Sequence, residues 1–485
     1  MNPSGPPSNE IQATALSASS KRLLPWLVAV ALFMESLDTT ILNTAVPAIS
    51  AALKVGPLSM KSVLASYTLS LAVFIPISGW MADRFGTRKV FAAAIGIFTL
   101  GSFLCGMSSD IHLLVACRIL QGCGGAMMVP VGRLTLVRTF AKSELLQAMS
   151  FVSIPALVAP MLGPIAGGLI VGYLHWRVIF FLNIPIGVVG LILVYFHLPD
   201  FREEHTHPLD HVGLILFGSG IALLSYVLEI FGEHALSTRE ITGLLAMSLM
   251  LLLGYALHSK SLQFPLLQLK LFTVRTFRAA VSGSFFTRLG MGGVPFLLPL
   301  LYQVGLGYTP IQSGLLIMPQ AIGAMTMKLA MSRILNRVGY RGVLISNTIF
   351  IGLLIMAFGT IGLRTCVWMI VLQAFSYGAF SSLQYTSMNT LAYADVTESQ
   401  TSNASSIAST MQQMSISFGV AIAGLTTVLF VPQSAKTSPL EMIHGIHKAF
   451  LLLGALTIVS TIVFRTLKAG DGDDVSQHKA LHTGG

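Results

Sequence analysis

The 485-residue chain is 54% hydrophobic and only 10% charged, with a mean hydropathy of +0.76, whereas an ordinary soluble domain is about a quarter charged. Folded in water it would expose far too much apolar surface, which excludes a string of soluble domains. The net charge of +10 does not point to nucleic acid either, because the 29 Lys and Arg residues lie between apolar runs and not in one patch.

Residues 1–22 open with a Ser-, Pro- and Ala-rich stretch and read as a disordered tail. The apolar run after Lys21 and Arg22 is too long for a signal peptide and lacks a small-residue cleavage site, so it reads as an uncleaved first span. A helix needs about 20 mostly apolar residues to cross hydrocarbon. Fourteen such stretches are predicted, the first six at 24–50, 62–82, 89–108, 111–132, 145–172 and 178–197. After the polar REEHTHPLDH come 211–231 and 241–258, and then 279–302, 310–334, 342–362, 366–392, 402–431 and 446–466. The expected fold is an all-α polytopic membrane protein. Its expected parts are a six-helix bundle over 23–197, a linker with two inserted helices over 198–278, a second six-helix bundle over 279–467 and a disordered tail over 468–485. Cys105, Cys117, Cys123 and Cys366 have neither metal-type nor disulfide spacing and are expected to be free, buried thiols.

The cytoplasmic side of a membrane protein retains Lys and Arg in its short loops. Placing both termini inside puts 19 of the 29 there and seven outside, with Arg118, Arg288 and Lys328 inside predicted spans. A weak internal repeat supports this layout. GWMADRFGTR at 79–88 and SRILNRVGYR at 332–341 each end a span, and Arg337, Gly339 and Arg341 follow Arg84, Gly86 and Arg88 by 253 positions. Internal repeats of this kind build many secondary transporters, and the offset resolves the predicted spans into six, two and six.

Within the first span, Glu35 and Asp38 are three apart and share a helix face. Carboxylates at bilayer depth are retained mainly for ion or proton traffic. Asp38 is therefore the expected proton site and Glu35 a second proton or cation-binding group; the plainer alternative is that Asp38 bonds a kinked backbone near Pro47. In CRILQGCGGAMMVP, Arg118 either helps a nearby acid release its proton or is an anchor snorkelling to the interface. Gln121 follows one turn deeper. Gly163, Pro164, Gly167 and Gly168 in PMLGPIAGGLIVG form a glycine-lined, kinked face suited either to a sliding helix or to a packing seam.

Gly79, Asp83, Arg84, Gly86 and Arg88, with Arg337 and Arg341 in the second copy, are candidates for a conformational latch. Asp83 is expected to accept the free N–H groups of the following helix and the arginines to pair across the cytoplasmic face, the rival being ordinary basic-loop chemistry. Arg288 and Lys328 suggest attraction to an anionic group in a cavity, or internal pairing with Glu35, Asp38 or Glu229. Asn43, Gln121, Gln303 and Gln384 complete the candidate cavity lining, with some of the 22 Met and 28 Phe residues. No nucleotide-binding motif is present, so an ion gradient is the expected energy source.

These residues resemble the 14-span drug:proton antiporter branch of the major facilitator superfamily, of the EmrB and QacA type and nearest its MdtD-type multidrug exporters. LDTTILNTAVPAI is similar to the branch's first-span signature, GWMADRFGTRK to the superfamily loop, RILQGCGGA to the fourth-span signature and LGPIAGG to the antiporter motif. FLNIPIG after Trp176 and Arg177, and VPFLLPLLYQVGLGYTPIQSGLLIMP at 294–319, also fit. The resemblance spans about 24–466, with Asn336 standing where an Asp is usual and Ser332 where a Gly is usual.

It implies proton-driven multidrug efflux by alternating access from a bacterial inner membrane, with Asp38 and Arg118 at the coupling positions. A transporter and not an enzyme is expected, monomeric, with no cofactor and no metal. Its partners would be a small-molecule substrate and membrane lipid. Two other functions are weighed: export of an organic anion or of a metal chelate such as a metal-citrate or siderophore, and a non-transporting membrane sensor.

Overall fold

The computed structural model describes residues 18–140, 142–203, 206–230, 237–397, 400–430, 439–468 and 470–472. Those residues form helices and no strand, as expected of a chain whose backbone polar groups must be satisfied without water. In chain order they are α1 (Ala18–Ala52), α2 (Lys61–Phe85), α3 (Thr87–Met107), α4 (Ile111–Thr139) and α5 (Lys142–Tyr173). A one-turn helix, Val178–Phe181, leads into α6 (Asn183–His197), followed by α7 (His211–Ile230) and α8 (Thr238–Ser261). Then come α9 (Arg275–Met291), prolonged by Val294–Leu300 and a π turn over Leu301–Gly305, and α10 (Pro310–Phe358). Last come α11 (Val367–Leu391), α12 (Thr401–Phe430) and α13 (Pro439–Val459), trailed by a one-turn helix, Thr461–Phe464.

Local chemistry sets the boundaries. Asp110 caps α4 by accepting from Leu113 N, and Thr309 with Gln312 forms a capping box that opens α10 on Pro310. Gly86 separates α2 from α3 at φ 96°, ψ 141°, and Gly339 breaks α10 at φ 73°, ψ 161°. This conformation is essentially open to glycine alone, so the two repeat copies at 79–88 and 332–341 share one backbone break.

Eleven segments among the described residues are long and apolar enough to cross a membrane. The fourteen predicted stretches reduce to these in two ways. Pro310–Phe358 carries the tenth and eleventh as one segment, and neither the whole of α5 nor α11 is among the eleven, although Val158–Tyr173 of α5 is a shorter apolar helix.

Three expectations are corrected. Residues 18–22 belong to α1 and not to a disordered tail, while 1–17 lie outside the described residues. Past α13, Asp471 forms an ion pair with Arg275 at the start of α9, so the second tail is anchored there; residues 473–485 lie outside the described residues. The four thiols are free, but Cys366 is exposed in the turn before α11 and Cys123 only half-buried.

The packing is asymmetric along the helices. At the end carrying the 53–60 turn, Ile41, Val46, Ile49, Met60 and Val63 share one core with Val294, Leu297, Leu301, Tyr302, Leu316, Phe358 and Phe450. At the end carrying Gly86 the core divides. Residues of 24–198 form one cluster, and residues from Leu267 onward form another with α7, α8 and Ala72. The early and late helices are thus joined at the Gly56 end and separate towards the Gly86 end. Their contacts run along α2 with α12 and α5 with α10, and α7 touches both α2 and α12.

Candidate functional site

Asp38 sits in the interior of α1 at 1% exposure, just below the shared apolar core. Its carboxylate bonds side chains from other helices, not a kinked backbone near Pro47. Arg118 Nη1 of α4 donates to Oδ2 at 2.5 Å. Gln121 Nε2 and Asn183 Nδ2 donate to Oδ1 at 2.9 and 3.1 Å. Arg118 is equally buried and lies with its guanidinium carbon 4.2 Å from the centre of the Tyr67 ring. It is therefore no snorkelling anchor. It also donates to Gln121 Oε1 at 2.8 Å, and Cys105 Sγ approaches the same oxygen at 3.8 Å. A second layer follows: Asn183 Nδ2 reaches Ser102 Oγ at 3.1 Å, and Ser102 donates to Phe180 O at 2.8 Å. One acid thus ties α1, α3, α4 and α6 together. A buried charge is tolerated only when paired and hydrogen-bonded in this way.

Glu35 is half-buried one turn nearer the Gly86 end, and its Oε2 is buried with no hydrogen-bond partner. It shares the face of Asp38 without joining its network. Asn43 is half-buried on the same helix.

The glycines of α5 permit two close crossings. A Cβ on Gly163 would strike Thr40, and one on Gly167 would come within 2.5 Å of Ile41 O, both on α1. A Cβ on Gly168 would come within 2.6 Å of Pro310 O, and one on Gly314 would strike the carbonyl of Pro164. The seam therefore seats α1 on one side and the start of α10 on the other. Beside it, Gln303 Nε2 donates to Thr44 O at 2.9 Å, and Ser417 Oγ of α12 donates to Ala65 O at 3.1 Å. Both bonds join early helices to late ones towards the Gly56 end.

Arg288 and Lys328 do not pair with Asp38, whose partner is Arg118. Arg288, 4% exposed in α9, stacks on the Tyr385 ring with its guanidinium carbon 3.9 Å from the centre and donates Nε to Ser284 Oγ at 2.9 Å. No described carboxylate pairs with it. The side chain of Glu229 lies outside the described ones. Lys328 is exposed on α10. Gln384 is buried in α11, donating to Thr348 Oγ1 at 2.7 Å and accepting from Asn347 Nδ2 at 2.8 Å. Its amide is engaged by partners on the late helices, and the side chain is fully buried.

The loop around Gly86 also differs from expectation. Asp83 does not cap α3. It accepts from Arg138 Nη2 at 2.8 Å, and Arg138 also reaches Glu203 Oε1 at 3.0 Å. The N-terminus of α3 is capped instead by the segment after α6. Thr87 N donates to Phe201 O at 3.0 Å and Arg88 N to Asp200 Oδ1 at 3.1 Å, while Glu203 N donates back to Asp83 O at 3.0 Å. Further along, Trp80 Nε1 donates to His207 O at 2.7 Å. Gly86 is required twice here, for its positive φ and because a Cβ would strike the Asp200 carboxylate. Gly79, Arg84, Arg88, Arg337 and Arg341 are exposed, and among the described residues these arginines form no ion pair across this end.

Sequence reasoning missed Asn183, Ser102 and Tyr67 as members of the site. Asn183 carried a usable signal, an amide inside an otherwise apolar helix. Ser102 and Tyr67 carried none, since serine and tyrosine are common in such helices.

Residues 28–420 match the family described as Major Facilitator Superfamily. The chain is 40% identical over 427 residues to the "Putative multidrug resistance protein MdtD" of Serratia proteamaculans, covering 88% of each chain. It is 40% identical over 438 residues to the protein of the same name from Escherichia coli O157:H7, covering 89% of this chain and 93% of the other. Among solved structures, the POT family transporter PepTSo superposes with a TM-score of 0.68 at 14% identity, covering 95% of this chain and 99% of that one. A bacterial homologue of the human lysosomal transporter Spinster, in an inward-facing and unoccupied conformation, gives 0.65 at 14% identity, covering 93% and 98%.

Proposed function

Since the chain belongs to the major facilitator superfamily, we propose that it is a proton-coupled multidrug efflux antiporter exporting small amphipathic or toxic compounds by alternating access. The observation that carries this is the buried Asp38, held by Arg118, Gln121 and Asn183 directly beneath the joined end of the helices. An intramembrane acid of this kind has no structural need that an apolar residue would not meet better, so its value lies in taking and releasing a proton.

The Gly86 end faces the cytoplasm in this reading, on the strength of the 19-to-7 bias of Lys and Arg. Both termini lie on that side, and the fourteen predicted stretches each cross the inner membrane of a bacterium. The helices are then joined outside and parted inside, which is the state that receives substrate from the cytoplasm. Asp38 loads its proton when the Gly56 end opens, and its deprotonation towards the cytoplasm accompanies substrate capture. Glu35 serves as the second proton or cation-binding group. Arg84, Arg88, Arg337 and Arg341, which form no ion pair among the described residues, are the groups available to close the inner end.

The test is dye or drug accumulation by everted vesicles under an imposed pH gradient. Wild-type protein should accumulate substrate and Asp38→Asn should not; coupling unchanged in Asp38→Asn overturns the assignment. A second reading, export of an organic anion or metal chelate, is favoured by Arg288, a buried guanidinium with no described carboxylate beside it. Under that reading Arg288→Ala abolishes transport, whereas broad drug export predicts that it spares cationic dyes.

A further inference from the structure

All three groups around Asp38 act as donors. Arg118 Nη1 takes Oδ2, while Gln121 Nε2 and Asn183 Nδ2 share Oδ1. That arrangement fits a carboxylate. A protonated Asp38 carries an O–H of its own and needs an acceptor, and the site must supply one for the acid to hold its proton while buried.

Arg118 has no acceptor to offer. Gln121 has one, but its Oε1 already accepts from Arg118 Nη1 at 2.8 Å and lies 3.8 Å from Cys105 Sγ. Turning that amide would aim its NH2 at the guanidinium. Asn183 is differently placed: its Nδ2 is shared between Asp38 Oδ1 and Ser102 Oγ, each at 3.1 Å. Turning this amide brings Oδ1 to both neighbours. The Ser102 hydroxyl, which now donates to Phe180 O at 2.8 Å, can rotate to donate to it, since a hydroxyl is both donor and acceptor.

We propose that Asn183 is a positioning residue for proton coupling, its side-chain amide donating to ionised Asp38 and turning to accept from the protonated acid. The inference rests on Asp38 being the coupling acid. Asn183 is the first residue of α6, one residue past the one-turn helix Val178–Phe181, so the turn of its amide is felt where α6 begins and, through Ser102, on α3. The other titratable groups around the acid are Glu35 on α1, Tyr67 on α2, Cys105 on α3 and Arg118 on α4. Residues 151–172 of α5, which pack along α1, contain no titratable side chain. α6 therefore presents the neutral group that can answer either state of the acid.

The experiment compares Asn183→Leu, Asn183→Ser and Asn183→Asp in everted vesicles, reading the pH profile of gradient-driven transport beside substrate exchange at clamped pH. Asn183→Leu, which neither donates nor accepts, should slow gradient-driven transport by about tenfold or more, the rate equivalent of one hydrogen bond to an ionised group, and leave exchange largely intact. Asn183→Ser, able to do both, should restore most of the rate. Asn183→Asp, which accepts but does not donate once ionised, should displace the half-maximal pH by about one unit, and it reports even if the leucine variant fails to reach the membrane.

A wild-type rate and profile in Asn183→Leu, or an undisplaced half-maximal pH in Asn183→Asp, overturns the inference. So does a serine variant as slow as leucine with an unmoved profile, which would mark a packing role. Failure of the functional reading is distinct: wild-type protein would show no gradient-driven transport, or Asp38→Asn would stay coupled.

Discussion

Arg118 of α4 and Asp38 of α1, 80 positions apart in sequence, meet as an ion pair at 2.5 Å with each side chain 1% exposed. Removing one member of such a pair leaves an uncompensated buried charge, which typically destabilises by about 3–5 kcal/mol, whereas replacing both with apolar groups is often close to neutral. Asp38→Leu and Arg118→Leu should each lower the unfolding temperature in detergent, and the double variant should recover most of the loss while remaining unable to couple transport to a pH gradient. Additive losses in the double variant would mean that the two side chains do not stabilise each other.

The Gly168 crossing predicts a shift between conformations. A Cβ here would approach Pro310 O to 2.6 Å only where α5 and α10 are packed as they are in this state. Overpacking of this kind typically costs about 1–3 kcal/mol, which corresponds to a roughly 5- to 150-fold change in population. In Gly168→Ala, a cysteine introduced at Thr44 should react faster with a membrane-impermeant maleimide than in the parent. An unchanged labelling rate would show that the crossing yields without separating the helices.

Gln303 is a milder probe of the same joint. Its Nε2 donates to Thr44 O at 2.9 Å, linking the extension of α9 to α1. Losing one neutral hydrogen bond costs about 1 kcal/mol, or about fivefold in population. Gln303→Leu should therefore raise labelling at the Gly56 end modestly and leave thermal stability nearly unchanged. A large fall in stability would instead assign Gln303 to the core.

Much of this is legible in the sequence, for identifiable reasons. Asp38 and Arg118 stand out because a charge inside an apolar run is expensive, and Gly86 with Gly339 because they recur at the 253-residue offset of the repeat. What could not be read was which charges meet. Arg288 and Lys328 were equal candidates to pair with Asp38, and only the approach of α4 to α1 selects Arg118. The capping of α3 by Asp200 and not Asp83 is likewise a matter of chain path: the segment after α6 returns along the Gly86 turn, and no local periodicity encodes that return.

Asp210 gives a pH-dependent prediction at the inserted helices. Its carboxylate accepts from Gly213 N at 2.7 Å at the start of α7, from His258 Nε2 of α8 at 2.8 Å and from Leu266 N at 3.1 Å. Burial pushes this acid up, but the hydrogen bonds from His258, Gly213 and Leu266 outweigh it and hold Asp210 below the usual carboxylate range. A group held low in the folded protein adds stability that is fully present above its unfolded value, about 3.9, and fades as pH falls through its lower folded value. The Asp210 carboxylate therefore stays ionised across pH 5 to 8, roughly. Asp210→Ala should lose about 1 kcal/mol or more, as for a lost helix cap, and the loss should persist at both ends of that window. Thermal unfolding of wild type and variant at the two pH values checks this. A loss that vanished towards the acid end would place the titrating group elsewhere than on Asp210.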